Sequence, residues 1–353
     1  MAMTMPTINI VFSKAAQSTA ARSGRGAVGL VIRDAAASKG VTLYSAADVP
    51  EGLSADNQAY VKRVFLGADG VRPVRCHLYV LASAGSLSEA LSWLSLQTFS
   101  WLALPLDAKE ADLTEAKEWI NSQRSENNAV YKAVLPNFAG ADQRIVNFAA
   151  SGIKADGTTY SAAAYCSRIA GILAALPLTR SATYCVLDEV TDVERMTRAA
   201  MNDAVEAGKL ILHVDGSRVK LGRAVNSMTE AASEDMRHIR TLEIQDTVES
   251  NLRQLISDEF IGKFANTYAN KLVLVTAVRD YLMGLESEGV LDAGSTCALD
   301  AAATRVYLQG KGVAVAGMDD NAVLQQSTGT AVFLTVTLKI PGAVEDVTVN
   351  IAV

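Results

Sequence analysis

Several groups of residues in this 353-residue chain have types that could do chemistry. Gly24, Gly26 and Gly29 have the Gly-x-Gly-x-x-Gly spacing of a dinucleotide-binding turn. Such a turn works where a strand runs into it and a helix opens after it, so that the pyrophosphate rests on the helix N-terminus. Here a stretch of small and polar residues comes first, and the β-prone Leu30-Val31-Ile32 comes after. The glycines read instead as a flexible hinge at Gly24 and Gly26. The histidines, His77, His213 and His238, are never four residues apart, and none has ligand-like spacing to a cysteine. His213 and Asp215 share a strand face, where a carboxylate could orient an imidazole, but no Gly-x-Ser-x-Gly nucleophile motif accompanies them. Cys76, Cys166, Cys185 and Cys297 form no Cys-x-x-Cys pair and read as buried free thiols of a reducing compartment. The acidic pairs Asp188-Glu189, Glu234-Asp235, Asp258-Glu259, Asp319-Asp320 and Glu345-Asp346 fall near element ends or on solvated faces. The expectation is therefore no catalytic residue, no metal ligand and no cofactor.

Composition narrows the class further. Half of the residues are apolar and 20% are charged, enough for a sizeable core and more than one lobe. A net charge of −6, with no basic stripe, argues against nucleic acid as a partner. The N-terminal MAMTMPTINIVF lacks the positive and apolar regions of a signal peptide. The longest weakly charged stretch, 77–105, contains Glu89 and is broken by Gly85, Gln97 and several serines. It reads as strand, helix and strand inside a globule, so no membrane insertion is expected of a chain made and kept in the cytoplasm.

The elements that position these residues follow from periodicity. Thr7–Phe12 and Ala27–Ile32 are β-prone and are separated by a tether of mostly small and polar residues. From about 58 to 215, apolar runs at Val74–Leu81, Trp101–Leu104, Ala129–Leu135, Ile145–Phe148 and Lys209–Val214 alternate with helical stretches. The helices are expected at Ser86–Leu96, Ala108–Arg124, Ser161–Leu176 and Asp192–Ala207, the last with Asp192 as its N-cap and Gly208 at its end. Such alternation predicts a largely parallel, layered α/β domain. Val219–Val225 reads as a strand leading into a turn. Two long helices then carry Val248, Leu252, Leu255, Ile256 and Phe260, and Leu272, Val275, Val278, Leu282 and Leu285, with Gly289 closing the second. Arg305–Leu308, a helix near Asp319–Gln326 and a strand at Thr330–Ile340 come next. In the last residues Val347, Val349, Ile351 and Val353 alternate strictly with Thr348, Asn350 and Ala352. A C-terminal strand often completes its own sheet. Two terminal strands, one of them tethered, also suit strand addition between subunits. Pattern alone also leaves open a nucleotide- or cofactor-dependent α/β enzyme, or another self-assembling shell or array protein.

Ser167–Glu230 closely resembles the tail-sheath family of contractile phages. The pieces that carry the resemblance are Ala170-Gly171, Pro177, Arg180-Ser181, Asp188-Glu189-Val190 and Gly222-Arg223-Ala224-Val225-Asn226-Ser227, with Ala224 where the family often has glycine. The N-terminal INIVF, tether and GAVGLVI also resemble the branch of short sheaths found in defective prophages and phage-tail-like bacteriocins. The resemblance implies an α+β chain overall. Residues 1–26 would be an N-terminal arm and tether, 27–225 an outer α/β domain inserted into the inner part, 226–342 an inner α+β domain near a tail tube, and 343–353 a C-terminal arm strand. It implies that Ile8, Ile10 and Phe12, and Val347, Val349, Ile351 and Val353, are donated to a neighbouring subunit, whose strand at Phe333, Thr335 and Thr337 accepts them. Lys271 and Arg279 would then be candidates to face an acidic tube, a solvated helix face being the alternative. The implied partners are further copies in a helical polymer, a tail tube protein, and baseplate and tail-terminator proteins. The implied activity is contraction, without catalysis, after assembly in the host cytoplasm.

Overall fold

The computed structural model describes residues 25–35, 39–230 and 234–351. It contains two compact units, Ala21–Thr247 together with Gly342–Val353, and Val248–Pro341.

The larger unit is built from β1 (Ala27–Asp34), β2 (Lys39–Leu43), α1 (Ala55–Val64), β3 (Arg75–Ala82), α2 (Leu87–Leu94), β4 (Trp101–Ala103), α3 (Glu110–Asn127), β5 (Lys132–Pro136) and β6 (Ile145–Phe148). It continues through β7 (Ile153–Ala155), β8 (Thr158–Tyr160), α4 (Cys166–Ala175), β9 (Val190–Asp192), α5 (Arg198–Glu206), β10 (Lys209–Leu210), β11 (Leu212–Asp215) and β12 (Arg218–Leu221). Its seven-stranded sheet has the order β10-β6-β5-β4-β1-β3-β2, parallel apart from β2. Side chains alternate across a strand, so β1 supplies both faces. Val28, Leu30 and Ile32 join Tyr60 and Val64 of α1 and Ile169 and Ile172 of α4 in one core. Ala27 and Val31 join Leu87 and Leu91 of α2 and Leu113 and Ile120 of α3 in the other. Burial on both faces is why the parallel strands read as continuous apolar runs. This is the layered α/β arrangement expected.

Local differences from expectation have local causes. Asp192 does not cap a helix. It lies in β9, which pairs with β7, and its carboxylate meets Lys154 at 3.2 Å and Arg195 at 3.1 Å. Helix α5 starts six residues later, where Thr197 Oγ1 accepts from the N–H of Ala200. The run Lys209–Val214 is divided, with β10 at the edge of the large sheet and β11 in a hairpin with β12. Helix α4 passes so close to α1 that a Cβ on Gly171 would lie 2.2 Å from the carbonyl oxygen of Val64. The resemblance-bearing glycine is thus a packing requirement.

Helix α6 (Ile239–Glu259) contributes its first nine residues to the larger unit and the rest to the smaller one. The two compact units divide within this helix, between 247 and 248. The cause is burial of the start of α6, with Leu242, Ile244 and Asp246 at most 2% exposed. The smaller unit continues with α7 (Tyr268–Ser287), β13 (Thr296–Leu299), α8 (Ala301–Gly310), α9 (Asp320–Gln325) and β14 (Leu334–Thr337). Arg305–Leu308 lies within α8. Gly289, at φ +71°, comes just after the end of α7, as the pattern required.

Candidate inter-subunit site

In the smaller unit β13 and β14 form an antiparallel pair, with Ala298 opposite Thr335 and Thr296 opposite Thr337. The N–H of Asp300 donates to the carbonyl of Phe333 at 3.0 Å, which sets the parity of the ladder. Phe333, Thr335 and Thr337 direct their main-chain groups inward to β13, and Leu334 and Val336 direct theirs outward. The opposite edge is closed, because Arg279 Nε of α7 donates to the carbonyl of Cys297 at 2.8 Å. Among the described residues nothing pairs with the outward edge of β14. The strand expected to accept is therefore present, but the atoms free to accept belong to Leu334 and Val336. Leu334 also lines an apolar cleft of about 740 Å³ with Phe260, Ile261, Phe264, Leu274 and Val332.

Lys271 does not stand on an exposed, tube-facing surface. It shares the inner stripe of α7 with Leu274, Val275 and Val278, is 6% exposed, and among the described residues its Nζ reaches only the carbonyl of Gln326, at 3.4 Å. Burial pulls the ammonium below its usual range. Its spacing of four from Val275 was the available signal. Arg279 is exposed apart from its bond to Cys297.

In the larger unit the described part of the C-terminal segment forms no strand. Val344, Val347, Val349 and Ile351 are exposed, as alternation without a sheet edge to join leaves them. Between them the side chain of Glu345 is buried. Thr183 Oγ1 donates to its Oε1 at 2.7 Å, and Ser181 Oγ lies 3.0 Å from the same oxygen. Arg223 Nε is 3.3 Å and His238 Nδ1 3.9 Å from Oε2. Arg223 also meets Asp346 at 2.5 Å. These contacts were missed in the sequence, although Ser181 and Arg223 belong to the pieces that carry the resemblance.

Ile8, Ile10, Phe12, Gly24 and Val353 lie outside the described residues. Gly26 is not a free pivot. Its N–H donates to Ala174 O at 3.1 Å, its own carbonyl accepts from Val74 N at 2.7 Å, and its φ is +78°. A Cβ there would lie 2.9 Å from Val74 Cγ2. Gly29 is inside β1, with no helix after it, so the glycine triplet does not form a phosphate-binding turn.

The remaining chemical residues are engaged in the fold. All four cysteines are buried, and burial raises the Cys185 thiol to about 11. His77 Nδ1 lies 2.9 Å from Thr42 Oγ1, and His213 packs on Tyr184 at 5.0 Å. Asp215, which could have oriented His213, is paired with Lys220 at 2.6 Å. Among the described residues, no group of three His, Cys, Asp or Glu side chains is placed to hold a metal ion, and no helix is long and apolar enough to cross a membrane.

Comparison with known proteins gives one answer throughout. Residues 82–227 match the family model of the phage tail sheath protein central domain, and residues 231–353 that of the phage tail sheath C-terminal domain. The tail sheath protein of Clostridium phage phiCD119 is 31% identical over 351 residues, covering 98% of each chain. The fold is shared with the sheath tail protein of Listeria innocua, at a TM-score of 0.68 and 14% identity over 93% of this chain and 99% of that one. It is shared also with the contracted sheath of an extracellular contractile injection system, PVC, at a TM-score of 0.66 and 10% identity over 100% of this chain and 98% of that one. With matches along its length to sheath proteins, the chain belongs to the phage tail sheath family.

Proposed function

We propose that this contractile-sheath subunit polymerises helically around a tail tube, and that its neighbours are joined to it by strands added at the open edge of β14. The observation that carries the reading is that edge: Leu334 and Val336 present main-chain donors and acceptors with no partner among the described residues. An open edge is an aggregation hazard unless a defined partner covers it. The donors are Ile8–Phe12 and Val347–Val353, and Val347, Val349 and Ile351 already stand exposed. Apolar side chains of an added strand would enter the cleft between Phe260, Phe264 and Leu334.

The work is mechanical. Subunits pass between two packings as rigid bodies when a baseplate releases the lattice, and heterologous contacts carry the change along the polymer. No bond is made or broken, so no catalytic group or cofactor is required. Because Gly26 is anchored, the N-terminal pivot lies upstream of it. Arg279 is the cation offered to the tube. Assembly takes place in the host cytoplasm, with tube, baseplate and terminator proteins as partners.

Negative-stain microscopy of the purified protein tests this. Tubes with a regular helical lattice are expected, and deletion of 347–353 should abolish them while leaving a folded monomer. A monodisperse monomer at high concentration would count against the proposal.

A further inference from the structure

Glu345 is a buried side chain in an otherwise exposed stretch. Its side chain is 9% exposed, whereas Val344 and Val347 are 89% and 71% exposed. A carboxylate loses hydration on burial and is tolerated where donors replace the water. Here two hydroxyls reach one oxygen, while the other, buried and without a hydrogen bond among the described residues, faces a guanidinium at 3.3 Å and an imidazole at 3.9 Å. We propose that Ser181, Thr183, Arg223 and His238 form a carboxylate receptor, whose ligand is the acidic side chain of Glu345 on its own extended C-terminal segment.

The receptor is tied together by bonds in which Glu345 takes no part. Thr183 Oγ1 accepts from Ala224 N at 2.9 Å, and Tyr184 N donates to Leu221 O at 3.2 Å, tying the 181–184 turn to the end of β12. Ile239 N donates to Ala224 O at 3.1 Å, and Asn226 N to Arg237 O at 2.8 Å, which places His238 alongside. Asn226 and Ser227 are buried, and Asn226 Nδ2 donates to Met236 O at 2.8 Å. Three stretches distant in sequence are thus held rigidly around one carboxylate. Of the residues that carry the family resemblance, Ser181 and Arg223 touch the carboxylate directly.

The consequence rests on the proposed strand addition. With Glu345 held and Asp346 paired to Arg223, the C-terminal arm pivots after residue 346, and only the residues beyond that point are free to reach another subunit. The receptor sets where the arm leaves, and the alternating valines past it set the surface that the arm binds.

The test uses the isolated subunit, diluted until no tubes form, so its outcome does not depend on assembly. All four native cysteines are buried, so a spin label can be placed through Val344→Cys or, separately, Ile351→Cys. The label at 344 should be slow and that at 351 fast. Glu345→Gln and Arg223→Ala should each speed the label at 344 several-fold and leave that at 351 unchanged, and Arg223→Lys should restore part of the restraint. Cooperative unfolding of each variant shows that the fold persists, and Ser181→Ala serves as a milder replacement if Arg223→Ala does not fold. Equal mobility at 344 and 351 in the native background would overturn the proposal. So would a restraint at 344 that appears only as concentration rises, since the receptor would then hold the segment of another copy. Failure of the native protein to form tubes at any concentration, with the restraint at 344 intact, would sink strand addition alone.

Discussion

The ammonium of Lys132 in β5 lies 3.1 Å from the carboxylate of Asp246 in α6, and their side chains are 1% and 2% exposed. Glu243 approaches the same ammonium at 3.1 Å, and Arg124 meets Asp246 at 2.7 Å. Burial alone would pull the Lys132 ammonium down, but the two carboxylates more than reverse that and hold it above its usual value. Lys132→Ala should destabilise the protein by about 3–5 kcal/mol in urea unfolding, because it leaves buried carboxylates uncompensated. Asp246→Ala should cost a comparable amount, and the double variant less than the sum of the two. A raised lysine stabilises fully below its unfolded value, about 10.4, and the contribution should disappear as pH rises through the folded value.

Asp34, at the end of β1, accepts from Asn57 Nδ2 at 2.7 Å, Ser54 N at 2.9 Å and Ala35 N at 2.7 Å. These bonds, that of Asn57 foremost, hold its carboxyl down to about 2. Ser54 is also the N-cap of α1, so one carboxylate joins the strand to the helix that covers it. Asp34→Ala should cost about 1–2 kcal/mol at neutral pH, the screened worth of hydrogen bonds to a charge at a strand end. A depressed carboxyl stabilises above its unfolded value, so this contribution should fade as pH falls from about 4 to about 2, and acid titration of the unfolding midpoint should show it absent in the variant.

Lys271 should behave in the opposite sense to Lys132. Among the described residues its ammonium is buried without a carboxylate, and Lys271→Met should raise the unfolding midpoint at pH 7. With the folded value lowered, the unfolded chain binds more protons, so native stability should rise with pH between the folded value and about 10.4. The advantage of the methionine variant should shrink over that window. A constant gain across it would show that packing, not charge, is responsible.

The parity of β14 supplies a matched pair of variants. Val336→Pro removes a donor that points away from β13, a position where an edge strand tolerates proline, so the monomer should unfold nearly as before while tubes are lost. Thr335→Pro removes a donor that β13 uses and should cost about 3 kcal/mol or more in the monomer itself. Thermal unfolding and microscopy read the two outcomes separately. Tubes in the Val336→Pro variant would place the joint elsewhere.

The layered sheet was legible because burial on both faces leaves a record in the sequence, as at Val28–Ile32 and Ile145–Phe148. Less legible was whatever depends on a partner distant in the chain. Asp192 looks like an N-cap until β7 claims it. Lys271 looks solvated when only its charge is considered, and buried when its spacing to Val275 is. Residues 347–351 have the alternation of a strand, but alternation specifies faces and not the neighbour. The contacts of Glu345 were hidden for the same reason, since Ser181 and Arg223 meet only in the folded chain.

The outward edge of β14 also sets a unit of measurement. Its half-buried Leu334 and Val336 lie on one face and the exposed Thr335 on the other, so a strand laid beside it has a dry side and a wet side. Sliding that strand by one residue would turn its apolar side chains to water, and the next permitted position is two residues away, about 7 Å. A joint of this kind has notches: it can bend at its root under load, but it cannot creep. Errors in building the polymer would then come in whole steps that a growing end can reject, not as drift that accumulates along its length.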